Sequence, residues 1–154
     1  MKSFEETNLV FVPAQSSRLI PAIICDIDGT IALRGDRDPF DHSVAMEDAV
    51  NRPVEEVLYK FKDTHAILYV SGRDEKFRDI TEYWLWVHKL DFHSKLLMRS
   101  LDDTRPDSDV KEEIWRWNID GVYDVLFVLD DRQRVVDRWR QLGLTVLQVA
   151  EGNY

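Results

Sequence analysis

A single cysteine, Cys25, stands among 154 residues, so no internal disulfide framework exists and a reducing, cytosolic setting is expected. Nor can Cys25 head a Cys-x5-Arg phosphatase loop, because the residue six positions beyond it is Ile31. Four scattered histidines with no second thiol leave little material for a structural zinc site. No apolar run approaches the ~18–20 residues a membrane span needs. The opening stretch MKSFEETNLVFVPAQSSRL carries acids and lacks a long apolar segment with a small-residue cleavage site, so it does not read as a signal peptide. Basic residues are outnumbered 20 to 29, and a net charge of −9 argues against a protein that coats nucleic acid along its length. It leaves room for a few arginines to grasp one terminal phosphate. Internal repeats and low-complexity tracts are absent.

The length fits one domain, able to bury roughly 70% of its unfolded surface. Residues 1–18 read as a leader or linker, and 19–154 as the folded domain. LIPAIICD (19–26) is continuously apolar, as in a strand covered on both faces. Residues 33–45 read as loop, followed by a helix near 52–64 with proline in its first turn. HAILYV (65–70) is a second strand ending at SGR. An amphipathic helix is expected over about 75–90, with Phe77, Ile80, Trp84 and Val87 on one apolar face. A short strand over 95–98, a helix over 109–117, a buried strand over 124–131, a helix over 134–142 stopped by Gly143, and a strand over 144–150 complete the pattern. Strands alternate with helices, which predicts an α/β fold: a Rossmann-like, mainly parallel sheet with helices on both faces. The five tryptophans (84, 86, 115, 117 and 139) read first as core and helix-packing residues.

In such sheets functional residues gather beyond the carboxyl ends of the strands, and here three strands end in CDIDGT, VSGR and LDD. Asp26 and Asp28 are two apart on a strand, so both carboxylates can face one pocket. Gly29 lets the chain turn away, and Thr30 can hydrogen-bond the turn or an oxyanion. With Asp130 and Asp131 added, that density of acids calls for a cation, and oxygen donors suit Mg²⁺. Ser71 and Lys111 are placed to meet a phosphate, and Arg73, Arg37, Arg99, Arg105 and Arg132 supply planar forks for oxyanions. An aspartate can attack phosphorus to form an aspartyl-phosphate, while a second carboxyl protonates the leaving alkoxide and then activates water. Each piece alone has a bland reading. DxDG is also an acidic turn, Asp130–Asp131 a helix-start charge pair, and Lys111 a solvated face; their order along the chain favours the site.

DIDGT, Ser71, Lys111 and Asp130–Asp131, in that order, resemble the haloacid-dehalogenase superfamily of aspartyl phosphotransferases. DGTIALRGDRDPFD, VSGRDEK, DTRPDSDVKEEIW and LDDRQRVVDRWRQLGLTVLQVAEGNY further resemble the 3′-phosphatase domain of bacteriophage polynucleotide kinase–phosphatases, over about 20–154. The resemblance implies Asp26 as nucleophile and Asp28 as general acid–base. It implies Mg²⁺ held by Asp26, the Asp28 carbonyl and Asp130, with Asp131 beside them. Arg37, Ser71, Arg73 and Lys111 would contact the phosphate, Asp107 would support that network, and Arg99 and Arg132 would make auxiliary substrate contacts. The expected activity is removal of 3′-phosphate from DNA or RNA ends, a step of nucleic-acid repair, with 2′,3′-cyclic phosphate as a weaker expectation. A kinase or ligase acting in the same pathway is the expected partner. No G-x-x-x-x-G-K-[ST] occurs, so 5′ phosphorylation is not expected of this chain by itself.

Forty residues separate Thr30 from Ser71, and a helix and a strand use about half of them. What remains is a flap, not a large cap domain, and an uncapped site can admit a polymer end. Two rivals stay open at this level: a small-molecule or nucleotide phosphatase of the same mechanism, and a non-catalytic module that binds nucleic-acid ends.

Overall fold

The structure, a computed structural model, describes residues 18–153. The leader or linker expected over 1–18 therefore lies outside the described residues, apart from Arg18. Five strands form one sheet: β1 (Ile20–Cys25), β4 (Ala66–Asp74), β5 (Lys95–Arg99), β6 (Tyr123–Arg132) and β7 (Val146–Gly152). Their order is β5-β4-β1-β6-β7, and every neighbouring pair is parallel. Central strands buried on both faces explain the continuous apolar runs. Along β1, Ile23 and Cys25 join one core cluster while Ala22 and Ile24 join the other; along β4, Ile67 and Tyr69 part from Leu68 and Val70 in the same way.

Helices cover both faces. α1 (Arg52–Phe61) starts with Pro53 in its first turn and buries Val54 and Leu58, four apart. It shares its cluster with Trp84 and Leu85 of α2 (Arg78–Val87). On the opposite face, Ile114 and Trp115 of α3 (Asp107–Asn118) pack with Val135, Val136 and Trp139 of α4 (Gln133–Gln141). Gly143, at φ 85°, ends α4 in the left-handed region that glycine occupies without strain. Leu58 is fully buried at the centre of the first cluster. Leu58→Ala is expected to cost about 2–5 kcal/mol, read as a lower denaturant midpoint with unchanged m.

Three local expectations change. The second helix is shorter than 75–90 and follows a separate 3₁₀ turn over Glu75–Phe77. Its buried stripe holds Thr81, Trp84 and Leu85, while Val87 is exposed. Thr81 displaces the apolar pattern because its hydroxyl has buried partners: Oγ1 accepts from Arg73 Nη1 at 3.0 Å and donates to the Phe77 carbonyl at 2.8 Å. The region 33–45 is not wholly loop, since β2 (Ala32–Leu33) pairs antiparallel with β3 (Ala49–Val50) and a 3₁₀ turn spans His42–Glu47. A two-residue ribbon is too short to register as periodicity. This ribbon and turn form the flap, and no large cap domain stands among the described residues. Finally, β4 runs through Ser71-Gly72-Arg73 to Asp74, with its register against β5 broken between Ser71 and Asp74. β6 breaks register against β7 between Asp130 and Arg132. Such irregularities re-aim side chains at strand ends, and here they lie where the acids and arginines are.

Candidate active site

The carboxyl ends of β1, β4 and β6 meet the first turn of α3 around a cavity of about 360 Å³. At its base the Asp26 N–H donates to the Leu129 carbonyl at 2.9 Å, extending the β1–β6 ladder by one step and fixing the aspartate. Lys111 Nζ donates to Asp26 Oδ1 at 2.7 Å and to Asp130 Oδ2 at 3.0 Å, and lies 3.7 Å from Asp107 Oδ2. Thr30 Oγ1 donates to Asp26 Oδ2 at 2.9 Å, so both oxygens of Asp26 are held. Trp139 Nε1 reaches Asp130 Oδ2 at 3.2 Å, which orients that carboxylate from the core side.

Asp26, Asp130 and Asp131 are buried, and one carboxylate oxygen from each lies within 4.8 Å of the others. The Lys111 ammonium sits between Asp26 and Asp130 of this buried cluster. Burial, with Asp130 and Asp131 adding to it, pushes the Asp26 carboxyl well above its usual range despite Lys111. Burial pulls the Lys111 pKa down, yet Asp130, Asp26 and Asp107 outweigh it and raise it well above the ordinary value. Three converging carboxylate oxygens are hard donors of the kind that fit a divalent cation such as Mg²⁺.

A second layer surrounds Asp28. Its carboxylate lies outside that cluster, although it lines the same cavity as Asp26. Arg73 forks onto it, Nε to Oδ2 and Nη2 to Oδ1, both at 2.8 Å, and Arg37 Nη2 donates to Oδ1 at 3.0 Å. Burial alone would raise its pKa, but Arg73, then His42 and Arg37, bring it below the ordinary value. Ionised Asp28 therefore stabilises the fold above about pH 4, and that contribution is lost as pH falls through its lowered pKa. Asp28→Asn is expected to flatten this acid limb in a pH series of thermal melts.

Arg37 has no N–H left for a phosphate. Nε donates to Asp48 Oδ1 at 2.6 Å, Nη2 to Asp28 and to Asp48 Oδ2, and Nη1 to the Asp38 and Asp41 carbonyls at 3.1 and 3.0 Å. It clamps the flap onto Asp28, instead of the direct phosphate contact expected from sequence. Arg73 is buried and lines the cavity; its Nη2 also lies 3.3 Å from Asp48 Oδ2. Ser71 is fully buried, with Oγ accepting from the Arg73 N–H at 3.1 Å, and Gly72 forms the adjoining cavity wall. Asp107 is shared loosely by Lys111, Arg99 at 3.5 Å and Arg132 at 3.6 Å. Arg99 ties the loop over 100–106 to the sheet, through Nε to the Gly72 carbonyl at 2.8 Å and Nη1 to the Arg105 carbonyl at 2.6 Å. A Cβ on Gly72 would sit 1.9 Å from Asp107 Oδ1. Gly72→Ala must move that carboxylate off Lys111, and we expect it to lower kcat at least about tenfold with the fold retained.

A family model described as polynucleotide kinase PNKP phosphatase domain matches residues 20–154. The chain belongs to this family. A protein described as a bifunctional polynucleotide kinase/RNA ligase, from Autographa californica nuclear polyhedrosis virus, is 37% identical over 133 residues, covering 83% of this chain and 19% of the viral protein. A chain in the structure of the Pnkp1/Rnl/Hen1 complex is 40% identical, with a TM-score of 0.86 over 99% of this chain and 53% of that one. A second, from the Pnkp1/Rnl/Hen1 RNA repair complex, gives the same identity and TM-score over 49% of its length. The phosphatase-family chain thus spans about a fifth of the viral relative and about half of the structural ones. The five-stranded parallel sheet is that of the haloacid-dehalogenase type.

Sequence reasoning missed three parts of this site. Asp48, buried beneath Arg37 and Arg73, looks like any polar residue before a short strand. Thr81 was hidden in an amphipathic helix. His42 lines the cavity with its Nδ1 buried, unpartnered and 4.0 Å from Asp28 Oδ2; burial lowers its pKa. Pro39 and Phe40, the latter 74% exposed, form the outer rim.

Proposed function

We propose that this domain is a Mg²⁺-dependent phosphomonoesterase that removes the 3′-phosphate from polynucleotide ends through an aspartyl-phosphate on Asp26. The observation that carries the reading is the buried triangle of Asp26, Lys111 and Asp130, with Asp131 beside it, at the floor of an uncapped cavity. An Asp26 oxygen attacks phosphorus, the bond from phosphorus to O3′ breaks, and the leaving alkoxide takes a proton from Asp28. A water then gives its proton to Asp28 and attacks phosphorus, which breaks the bond to Asp26 and frees inorganic phosphate.

Asp28 suits both halves of that cycle. In the resting site Arg73 keeps it ionised. A phosphate dianion arriving beside it disfavours the charged form and competes for the same guanidinium, moving Asp28 towards the acid the first step needs. Asp26, Asp130 and Asp131, with the Asp28 carbonyl, would hold Mg²⁺, which would supply the charge neutralisation a dianion needs beside three acids. Lys111 holds Asp26 Oδ1 and can follow the phosphoryl group as charge shifts.

The open cavity and the family favour a polymer end over a small metabolite. The RNA repair complex that contains a similar chain favours RNA 3′ ends, with a kinase or ligase acting on the same break. The test is phosphate release from matched RNA and DNA oligonucleotides carrying 3′-phosphate, 5′-phosphate or 2′,3′-cyclic phosphate, with Mg²⁺ or EDTA. Release from 3′ ends only, abolished by EDTA, is expected. Strong preference for mononucleotides or sugar phosphates overturns the substrate, and no release at all leaves an end-binding module.

A further inference from the structure

A second cavity, of about 230 Å³, lies between α3, β5 and the start of α2. Its floor is apolar, with Leu97, Met98, Val110 and Ile114, and Trp117 stands at its border. Asp103 and Arg105 belong to the walls of both cavities, so the second adjoins the catalytic one. Trp117 is 81% exposed, more than any other large apolar side chain among the described residues. Exposure of one tryptophan means little by itself; its place on a cleft adjoining the reaction centre means more. Of the other exposed aromatics on a helix, Tyr83 and Trp86 stack on each other, Tyr59 donates its hydroxyl to the Lys89 carbonyl, and none of the three lines either cavity.

We infer that this cleft holds a nucleobase of the substrate strand, stacked on Trp117, upstream of the 3′-phosphate. The inference rests on the phosphatase reading and names where its polymer lies. Each acid of the cleft has a cationic partner, Glu75 in Arg78, and Asp103 and Glu113 sharing Arg105, so the walls carry one more acid than base and offer polar edges but no surplus cation. A flat, uncharged ring with hydrogen-bonding edges suits such a slot better than a phosphate does. Trp117 lies six residues beyond Lys111 on α3, about 9 Å along the axis. A stacked strand advances about 3.4 Å per nucleotide, which puts the stacked base two to three nucleotides from the scissile phosphate.

The test measures phosphate release from 3′-phosphorylated mono- to tetranucleotides by wild type, Trp117→Ala and Trp117→Phe, each rate divided by that on p-nitrophenyl phosphate. For wild type, kcat/KM should rise roughly tenfold between the di- and tetranucleotide, through KM. Trp117→Ala should lose that rise, Trp117→Phe should keep most of it, and an abasic residue at the third position should erase it in wild type. A flat wild-type series, or a rise that survives Trp117→Ala, overturns the inference while leaving the phosphatase standing. Absence of phosphate release from every substrate, p-nitrophenyl phosphate included, removes the reading beneath it and the inference together.

Discussion

Asp26→Asn is expected to lower turnover of a 3′-phosphorylated end by at least about 10⁴-fold and to leave the protein folded. An amide keeps the shape and can still face Thr30 and Lys111, but it cannot become an acyl phosphate. The stability change has a definite sign. Because the folded site raises the Asp26 pKa, its contribution to stability is full below the ordinary value of 3.8 and is lost as pH rises through the folded value. At neutral pH without metal the ionised carboxylate is a burden, so the asparagine variant should melt no lower than wild type. Added Mg²⁺ should raise the wild-type melting temperature more than that of the variant. An asparagine variant turning over within tenfold of wild type would place the nucleophile elsewhere.

The second large effect is that of Lys111→Ala. Its ammonium is the only positive group in hydrogen-bond contact with Asp26 and Asp130 among the described residues, and it is nine-tenths or more buried. Removing it leaves the acids facing one another and opens a void, which should cost about 3–5 kcal/mol of metal-free stability. The loss of stabilisation at the developing phosphoryl charge should lower kcat about 10²- to 10³-fold. Because Asp26, Asp130 and Asp131 would remain to hold a cation, Mg²⁺ should recover part of the stability and little of the rate. Denaturant melts with and without metal, alongside kcat, separate the two losses. An unchanged kcat would reduce Lys111 to a structural counter-ion.

Much of this was legible before the fold was seen. The sheet announced itself because its central strands are buried on both faces and so read as unbroken apolar runs, as in Ala22–Cys25 and Phe127–Leu129. Asp26, Asp28, Asp130 and Asp131 stood out because each follows such a run, where charge is unexpected. Arg37 stands out in the sequence but its task does not: residue type offers a fork, whereas the five hydrogen bonds that use it up go to the Asp38 and Asp41 carbonyls and to Asp28 and Asp48. Asp48 carried no signal, since its burial comes from folding the flap over α2, where Trp84 Nε1 grips its carbonyl at 2.9 Å. The tryptophans divided on packing alone, with Trp84 and Trp139 in the core and Trp86 and Trp117 outside it.

The central claim is that Asp26 attacks a 3′-phosphate at a site completed by a divalent ion. Its most direct measurement is inorganic phosphate released from one RNA oligonucleotide carrying a 3′-phosphate, by wild type and Asp26→Asn, across a Mg²⁺ titration that starts in EDTA. Release that rises from zero with Mg²⁺ in wild type and stays at background in the variant is the predicted result. Equal release by both proteins, or full release in EDTA, would contradict it.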